Sequence, residues 1–334
     1  MNKRSATIRD VAREAGVSVA SVSRALNGQS NVTEATRERV RAAAAQLGYV
    51  PHVGARNLSL ARSGAIGVVL PDLHGEFFSE VLRGLDRGAS AHGFQLLLSN
   101  MHVDSELSAA AIGAMNGRVD GLVVMAPHLP PNLLAAMLPP NVPAVVVNPV
   151  GEVPPAAQIV RVDNVAAARA MTEHLIDIGK RHIVHLRGPR GNIESDLRER
   201  GYRDAIAAAG LTARVLEGDF TEEGGIAAAR TLIADRQGAD GVFAANDLMA
   251  IGVVPTLRDA GLNVPEDIAV GGFDDTPLAR LVTPALTTMR IEMVDLGLDV
   301  INRLVRLMES REPDAPYLRL PALVVRQTTG AAHA

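Results

Sequence analysis

Three polar side chains near the ends of predicted strands could bind a small molecule. Asp274 follows one short apolar run, Asn246 follows another, and Arg198 opens a helix after a glycine-containing loop. A carboxylate, an amide and a guanidinium together supply the paired hydrogen-bond donors and acceptors that suit a hydroxyl-rich molecule. Each residue also has a purely structural alternative, with Asp274 as a turn cap and Arg198 as a salt-bridged side chain.

Aromatic side chains stand close to the same predicted strand ends. The chain has only six phenylalanines and three tyrosines, so Phe77, Phe78 and Phe220 are informative in these positions. Their rings could stack against the apolar face of a hydroxylated ligand. The alternative is that each ring fills a hydrophobic core.

Catalytic chemistry has little support in the sequence. The chain contains no G-x-S-x-G, H-E-x-x-H or P-loop motif, and the glycine-rich segment 188–192 lacks the spacing of a dinucleotide-binding loop. His182 and His185 lie on one predicted strand but on opposite faces, which disfavours metal chelation. Cysteine is absent, which excludes thiolate ligands and nucleophiles. We therefore predict a protein that is not an enzyme and uses no cofactor or metal.

A second group of side chains could read nucleic-acid bases. Val19, Ala20, Ser23 and Arg24 share the outward face of a short helix predicted within the first 50 residues. Near a helix N-terminus, such side chains can reach base edges in the major groove, where arginine pairs with guanine. A small three-helix bundle that binds nothing is the structural alternative.

The helices that position those side chains follow from capping residues and apolar spacing. Thr7 and Asp10 form a capping-box pattern at the start of the first helix, and Gly16 ends it. Ser18 is predicted to cap the second helix and Thr33 the third. Two short helices joined by a tight glycine-containing turn are a helix-turn-helix. The residues predicted to face inward are Ile8, Val11, Ala12, Ala15, Val22, Ala25, Leu26, Val40, Ala43, Ala44 and Leu47.

Charge is distributed unevenly along the 334 residues. Residues 1–62 contain ten lysines and arginines against four acidic residues, whereas the remainder contains 23 basic and 33 acidic residues. A basic head on an acidic body favours contact between the head and a polyanion. No apolar run is long enough to span a membrane and the first 20 residues lack an apolar core, so we expect neither a membrane helix nor a secretion signal. Because cysteine is also absent, we predict a cytoplasmic protein.

From Gly64 onward, short apolar runs alternate with helical stretches. This alternation predicts parallel sheets covered by helices on both faces. The pattern occurs twice, so we predict an all-α helix-turn-helix head followed by an α/β core of two doubly wound parallel-sheet lobes. Ligands bind beyond the carboxyl ends of such strands, here in a cleft between the lobes. The predicted strands span 66–70, 94–99, 121–125, 144–148, 183–186, 215–218, 241–245 and 268–272, and the predicted helices span 77–92, 106–116, 131–138, 164–179, 195–209, 224–236 and 248–260.

Several motifs follow one another along the head. They are Thr7-Ile8-Arg9-Asp10-Val11-Ala12, Ala15-Gly16-Val17-Ser18, Val22-Ser23-Arg24, Thr36-Arg37-Glu38-Arg39-Val40 and Leu47-Gly48-Tyr49. Their order and density resemble the head of the lactose/galactose repressor family of bacterial transcription regulators. Segment 52–58 resembles the family's hinge, whose leucine is inserted into the minor groove of DNA. Such an apolar wedge unstacks a base step and kinks the duplex.

The resemblance implies a set of DNA contacts. Val19, Ala20 and Arg24 stand where the family reads operator bases, and Ser18 and Ser23 stand where it contacts phosphates. The full set implied for this chain is Thr7, Ser18, Val19, Ala20, Ser23, Arg24, Asn27, Ala55, Arg56 and Leu58.

The acidic body carries further motifs, at 66–70, 118–122, 241–247, 272–275 and 284–288. These segments resemble the effector-binding core of the same family, which is similar to periplasmic sugar-binding proteins. The resemblance implies that the chain crosses between the lobes near 160–163, 290 and 320. It also implies effector contacts by Phe77, Phe78, Asn148, Asn192, Arg198, Phe220, Asn246 and Asp274.

Two positions favour a sugar over a purine as the effector. Asn192 and Glu194 stand where purine-binding members of the family carry arginine and threonine. Glu194 near the cleft would repel a phosphate group unless Arg190 and Arg198 outweigh it. We therefore predict a sugar or sugar derivative, with a purine or other small metabolite acting as a corepressor as the alternative.

Together these features predict a transcription repressor that a small-molecule effector releases from a pseudo-palindromic operator. We expect a homodimer formed through the core, with the helix near 77–92 contributing, because a single head reads too few base pairs. A solute-binding protein with no DNA role is the alternative class, and it would not need the basic head. The domains expected are a helix-turn-helix domain at 1–50, a hinge and linker at 51–63, and an effector-binding and dimerisation core at 64–334, with an N-lobe near 64–160 and 292–320 and a C-lobe near 161–290 and 321–334.

Overall fold

An all-α unit is followed by an α/β unit, as the sequence pattern predicts. The two units are Met1–Gly64 and Ala65–Ala334, and each has its own hydrophobic core. The structure is a computed structural model, and it describes residues 6–26, 32–49, 63–71, 75–101, 105–129, 131–151, 153–235 and 238–330.

Three short helices form the described part of the first unit. They are α1 (Ile8–Glu14), α2 (Val19–Leu26) and α3 (Glu34–Gln46). The Thr7 hydroxyl accepts a hydrogen bond from the Asp10 amide, and the Asp10 carboxylate accepts one from the Thr7 amide, so both halves of the capping box are present. Thr33 caps α3 with its hydroxyl. Gly16 turns the chain between α1 and α2 with a φ of +62°, a conformation that favours glycine.

A small common core holds these helices together. Val11, Val22 and Val40, one from each helix, are completely buried. Full burial of a valine side chain stabilises a fold by about 1.5–3 kcal/mol. Burial of these three valines is therefore a large share of the hydrophobic stabilisation available to so small a unit. On α2 the opposite face stays open, and Val19 is 42% exposed.

The second unit contains two lobes built from parallel β-sheet and helices. Its strands are β1 (Ala65–Leu70), β2 (Gln95–Asn100), β3 (Gly121–Met125), β4 (Ala144–Val147), β5 (Gln158–Val162), β6 (Ile183–Leu186), β7 (Arg214–Leu216), β8 (Gly241–Ala244), β9 (Ala269–Gly271), β10 (Thr288–Arg290), β11 (Tyr317–Arg319) and β12 (Ala322–Val324). Its helices are α4 (Glu76–Ala91), α5 (Ser105–Gly113), α6 (Pro131–Met137), α7 (Asn164–Asp177), α8 (Ile193–Ala208), α9 (Glu222–Ala234), α10 (Asp247–Asp259) and α11 (Met293–Ser310).

The first lobe surrounds a six-stranded parallel sheet with the strand order β11-β5-β4-β3-β1-β2. Alternate side chains of its strands enter two different cores, because successive residues of a strand point to opposite faces. Val68 and Val123 join the core that α4 and α11 cover, whereas Val69 and Val124 join the core on the other face, with α5 and α6. Helices therefore cover both faces of the sheet.

Glycines bring α4 and α11 into unusually close contact. A Cβ atom on Gly84 would lie 2.0 Å from the carbonyl oxygen of Val294, and one on Gly297 would lie 2.4 Å from the carbonyl oxygen of Val81. Because the two backbones touch at these points, any larger residue would force the helices apart. The pair fixes α4, whose first turn carries Phe77 and Phe78.

The second lobe surrounds a four-stranded parallel sheet with the order β7-β6-β8-β9. Here too the alternation separates two cores. Ile183 of β6 packs with residues of α7 and α8, and its neighbour Val184 packs with residues of α9 and α10. Tyr202 on α8 is fully buried and donates its hydroxyl hydrogen bond to the Ile183 carbonyl oxygen at 2.8 Å, which ties the helix to the sheet.

Three segments join the lobes, close to the positions that the family resemblance implies. They are residue 163, residues 291–292 and residues 320–321. The Asp163 amide donates to the Arg319 carbonyl oxygen at 2.9 Å, so two of the segments are bonded side by side. β10 and β12, next to the other two crossings, pair antiparallel.

The structure also differs from the sequence prediction in several elements. Helix α11 and four strands were not predicted. The strands β5, β10, β11 and β12 lie at the crossings, where pairing depends on distant parts of the chain. The strand expected at 215–218 is Arg214–Leu216, because only those residues pair with β6 at this sheet edge. The other predicted strands and helices are found with shifts of one to three residues at their ends.

Candidate functional site

A cavity of about 380 Å³ lies between the two lobes. Loops that follow β1 and β3 border it on one side, and loops that follow β6, β7, β8 and β9 border it on the other. It therefore lies at the carboxyl ends of the parallel strands, where open α/β sheets bind ligands. Seven of the eight residues predicted to contact an effector line it: Phe77, Phe78, Asn192, Arg198, Phe220, Asn246 and Asp274.

Arg198 is the most firmly held polar side chain of the cavity. It is 3% exposed. Its Nε donates to Asn164 Oδ1 at 2.8 Å and its Nη1 donates to the Ala245 carbonyl oxygen at 2.5 Å. The guanidinium carbon lies 3.8 Å from the centre of the Phe273 ring, which supports the planar group from one side. Its Nη2 lies within ion-pair distance of Asp274 and Glu194.

Asp274 faces that nitrogen across a short gap. Its Oδ1 lies 3.6 Å from Arg198 Nη2, is buried and has no hydrogen-bond partner. The residue has a φ of +113°, an uncommon backbone conformation for aspartate. Burial raises the pKa of the Asp274 carboxyl well above its usual value; Arg198 opposes the shift, and Asp247 and Glu194 add to it. A buried carboxyl with an uncommon backbone conformation and one oxygen without a hydrogen bond is typical of a functional site.

The side chains of Asn192 and Asn246 each cap a helix at the edge of the cavity. The Asn192 side-chain oxygen caps α8 by accepting from the amides of Glu194 and Ser195. The Asn246 oxygen caps α10, and its Nδ2 donates to the Phe220 carbonyl oxygen at 2.9 Å. Both amides thus fix the helix ends that border the cavity.

The aromatic rings are positioned by backbone features. Phe220 adopts a left-handed φ of +68°, and its ring lies over Gly188, where an added Cβ would be 2.3 Å from Phe220 Cζ. The ring centre is 5.9 Å from the Arg198 guanidinium carbon. On the first lobe, the Phe77 and Phe78 rings meet edge to face with centres 5.1 Å apart.

Asn148, the eighth predicted contact, lies beside the cavity rather than in its wall. Its Oδ1 accepts from the Val162 amide at 2.7 Å, and its Nδ2 donates to Glu194 Oε1 at 2.6 Å. Because both ends of the amide are engaged, Asn148 reaches the cavity through Glu194. The structure thus assigns it the position of a supporting residue for that carboxylate.

Hydrogen bonds across the cavity join the lobes directly. The amide or side chain of one lobe donates to an oxygen of the other in each case. The pairs are Ile193 with Pro127 at 3.0 Å, Asn148 with Glu194 at 2.6 Å, and Leu278 with Glu76 at 3.4 Å. A ligand between the lobes would therefore act on contacts that set their relative orientation.

A second buried carboxyl lies behind Asp274. Asp247 is completely buried, and its oxygens accept from the Thr288 hydroxyl at 2.5 Å and the Thr276 amide at 2.7 Å. Burial raises the pKa of Asp247 to about 7, although the hydrogen bonds from Thr288 and Thr276 oppose the shift. Asp247 thereby ties the loop after β9 to β10, one of the strands beside a lobe crossing.

The first unit presents the predicted base-contacting face of α2. Val19 and Ala20 are exposed, and Ser23 and Arg24 are partly exposed. Ser18 caps the helix, since its hydroxyl accepts from the Ser21 amide at 3.1 Å. Arg24 Nε donates to the Ala20 carbonyl oxygen at 3.2 Å, which directs the guanidinium along the helix surface. Asn27, Ala55, Arg56 and Leu58 lie outside the described residues.

Comparison with known proteins identifies the chain. Residues 7–52 match the family described as "Bacterial regulatory proteins, lacI family", and residues 172–329 match the "Periplasmic binding protein-like domain". The ribose operon repressor of Halalkalibacterium halodurans is 33% identical over 326 residues, which cover 97% of each chain. The chain belongs to the lacI family of bacterial regulatory proteins. The family resemblance seen in the sequence motifs is thereby confirmed.

Solved structures of lacI-family proteins support the architecture. A Lac repressor dimer bound to operator and an anti-inducer matches with a TM-score of 0.89 and 29% identity, covering 98% of this chain and 100% of that one. A complex of the transcriptional regulator CelR with cellobiose matches with a TM-score of 0.71 and 32% identity, covering 97% of this chain and 99% of that one. These matches confirm the predicted fold class. The individual DNA and effector contacts stay predictions.

Several wall residues of this lacI-family cleft were not among the predicted contacts. Glu194 is the most notable, because its side chain is only 14% exposed and lies 3.9 Å from Arg198. The sequence comparison already placed Glu194 near the cleft, and its position four residues before Arg198 puts both side chains on one helix face. The other wall residues with polar side chains are Glu76, His128, Asp219, Thr221 and Thr276, and they carry no comparable signal in the sequence.

The described part of the chain contains no metal cluster and no membrane-spanning helix. No group of three or more histidine or acidic side chains there could hold a metal ion. His185 is fully buried between Tyr202 and Phe243, and burial lowers its pKa to about 3, so it is neutral and structural. Within the same residues, no helix has the length and apolarity needed to cross a membrane.

Proposed function

We propose that this lacI-family chain is a transcription repressor that leaves its operator when a sugar or sugar derivative enters the cleft. The observation that carries the proposal is the convergence of Arg198, Asp274 and three phenylalanine rings on one cavity, in a chain whose first unit is a helix-turn-helix. Polar groups for hydroxyls beside rings for apolar faces suit a sugar. The cellobiose complex of CelR supports this class of ligand.

In the proposal, α2 enters the major groove of the operator. Val19 and Ala20 contact base edges, Arg24 pairs with a guanine, and Ser18 and Ser23 contact phosphates. The exposed outer face of α2 and the operator complex of the Lac repressor support this arrangement. A repressor of this kind needs no catalytic step. The proposal also places the protein in the cytoplasm, where bacterial operators lie.

The proposed switch acts through the orientation of the lobes. A ligand that bonds to both walls favours one orientation, and the first lobe directly follows the segment proposed as the hinge. A full change from 99:1 to 1:99 between two states requires about 5.5 kcal/mol of differential affinity. A charge-assisted hydrogen bond contributes about 1.5–3 kcal/mol. Arg198 and Asp274 must therefore act together with the aromatic contacts.

The proposal includes a homodimer, so that two heads can read two half-sites. The first lobe offers a suitable surface, because β2 is an edge strand on which Leu97 and Leu98 are 37% and 41% exposed. Adjacent exposed leucines on the outermost strand of a sheet are typical of an interface. The dimeric Lac repressor supports the assembly.

Two variants of the full-length chain test the proposed function. An operator fragment is first selected from random DNA with the purified protein, and binding is followed by fluorescence anisotropy. Arg24→Ala should lose about 1–3 kcal/mol and relax specificity at one base pair. Asp274→Ala should keep its operator affinity but lose release by an effector found in a sugar screen. Unchanged discrimination in the first variant, or normal release in the second, would contradict the assigned roles.

A further inference from the structure

The described wall of the cleft contains more carboxyl groups than basic side chains. Arg198 supplies its one guanidinium, and His128 is the one histidine in this part of the wall. Against them stand the carboxyl groups of Glu76, Glu194, Asp219 and Asp274. Such an excess in a small-molecule site constrains the charge of the molecule that fits it.

Neighbouring arginines do not offset this excess. Arg187 pairs with Asp196 at 2.5 Å and with Glu199 at 3.3 Å. Arg190 pairs with Glu217, and its side chain is 74% exposed and outside the cavity wall. Each of these cations is therefore matched by carboxylates of its own.

Two of the wall carboxylates have local partners. Glu76 accepts from the Leu278 amide at 3.4 Å, and the exposed Asp219 accepts from the Thr221 amide and hydroxyl at 2.9 and 2.6 Å. These hydrogen bonds partly satisfy the two carboxylates. The other two are Glu194 and Asp274, which both face Arg198.

Arg198 does not satisfy both of these carboxylates. Its Nη2 lies 3.6 Å from Asp274 Oδ1 and 3.9 Å from Glu194 Oε2, and both distances exceed those of hydrogen bonds. Asp274 Oδ1 is buried with no partner. Glu194 is held from the other side, because Asn148 Nδ2 donates to its Oε1 and leaves Oε2 directed toward Arg198. Asp274 Oδ1 and Glu194 Oε2 therefore both lack a hydrogen bond from Arg198, and a further donor between them could bond to both.

We propose that the effector is a hydroxylated molecule that carries an ammonium group, and that Glu194 determines this preference. The inference rests on the proposed function of the cleft as an effector site. An ammonium group has three donors and no acceptor, so it can donate to Asp274 Oδ1 and Glu194 Oε2 while hydroxyls bond to Arg198 Nη2. Its positive charge also favours the ionised form of Asp274, whose carboxyl pKa burial otherwise raises. Amino sugars have this chemistry.

Anionic ligands are excluded by the same geometry. A phosphate or carboxylate in that position would face the Glu194 side chain and the buried Asp274 carboxyl at a depth where solvent screens charge weakly, and it would offer neither of them a donor. Sugar phosphates and sugar acids therefore do not fit. Glu194 also links the ligand to the lobes, since its other oxygen bonds to Asn148 of the first lobe. The group that reads the charge of the ligand is thus one of the groups that hold the lobes together.

The test uses matched ligands on the full-length protein. Glucose, galactose and mannose are each compared with the 2-amino and 6-phosphate forms by calorimetry and by the shift in melting temperature. The chains are the wild type, Glu194→Gln and, as a control, Glu217→Gln, which removes an equally charged side chain outside the cavity. Operator binding without added sugar is measured for all three chains.

The wild type should bind at least one amine about tenfold more tightly than its neutral parent, because a charge-assisted hydrogen bond exceeds a neutral one by about 1–1.5 kcal/mol. The preference should fall to near parity in Glu194→Gln and persist in Glu217→Gln. The phosphates should not bind the wild type.

Three results with the wild type would overturn the inference: a neutral sugar that binds as tightly as its amine, a sugar phosphate that binds, or a panel in which no amine binds. A preference for the amine that persists in Glu194→Gln would also overturn it. The wild-type comparison needs no variant, so poor folding of Glu194→Gln cannot obscure it. Failure of the proposed function would give a different result. The wild type would then not bind an operator, or it would bind sugar without any change in operator affinity.

Discussion

At the scale of single residues, the position of Phe220 depends on the absence of a side chain at Gly188. We expect Gly188→Ala to displace the ring, because its Cβ would lie 2.3 Å from Phe220 Cζ. Loss of one ring contact of about 0.5–1.5 kcal/mol should weaken effector binding about two- to tenfold, measured by calorimetry. Operator affinity without effector should not change, since the head is a compact unit with its own hydrophobic core.

A matched glycine substitution controls for the change in backbone freedom. A Cβ on Gly113 meets no atom within 4 Å, so Gly113→Ala should leave effector affinity as it is. If both variants weakened the effector equally, the contact between Gly188 and Phe220 would not be the cause.

Asp247 should make stability depend on pH. Its pKa of about 7 in the fold lies above the ordinary value near 3.9, so the folded chain binds more protons than the unfolded chain between these values. This group therefore stabilises the fold most below about pH 4, and the contribution is lost as pH rises through about 7. His185, with its lowered pKa, has the opposite slope between about pH 3 and 6.5.

A difference measurement separates the two groups. In Asp247→Asn, the amide can donate to the Thr288 hydroxyl and accept from the Thr276 amide, so the local hydrogen bonds are kept. Urea unfolding of both chains between pH 4 and 8 should show that the stability of the variant relative to wild type rises with pH. A constant difference would mean that Asp247 titrates normally.

At the scale of elements, the sequence predicts the repeated strands and helices of the core well but misses α11, although its apolar residues recur at helical spacing. The buried runs of β1, β3, β6 and β8 are apolar and bounded by loops, so their pattern alone locates them. β10, β11 and β12 have three residues each, and such short strands form only because distant crossing segments meet. For the same reason the sequence indicates Arg198 and Asp274 at strand ends, but not that Asn148 bonds to Glu194 across the cleft.

The α4–α11 pair offers a test at this scale. Gly84→Ala places a Cβ 2.0 Å from the Val294 carbonyl oxygen, and relieving the clash requires the helices to separate. Overpacking of this kind costs about 1–3 kcal/mol, which should lower the unfolding free energy in urea by that amount. Gly113→Ala again serves as the comparison, and equal stability of the two variants would argue against close helix contact.

At the scale of the whole molecule, the proposed dimer depends on one edge of the first sheet. Leu98→Glu should raise the dimer dissociation constant by at least about tenfold, or about 1.4 kcal/mol, because it places a charge in an apolar interface. Leu318→Glu is the matched control, since Leu318 is 51% exposed on β11 at the opposite edge of the same sheet. Analytical ultracentrifugation distinguishes them, and equal dissociation constants would place the interface elsewhere.

The three crossings between the lobes also bear on how such a gene can recombine. Each lobe is assembled from separate stretches of chain, so no single exchange between two genes can transfer one wall of the cleft without the other. The head is one uninterrupted stretch, Met1–Gly64, and a single exchange near codon 64 transfers it whole. In this architecture one recombination event near codon 64 joins a head to a different core and so changes which operator answers to which effector, whereas exchanging one wall of the cleft requires several events.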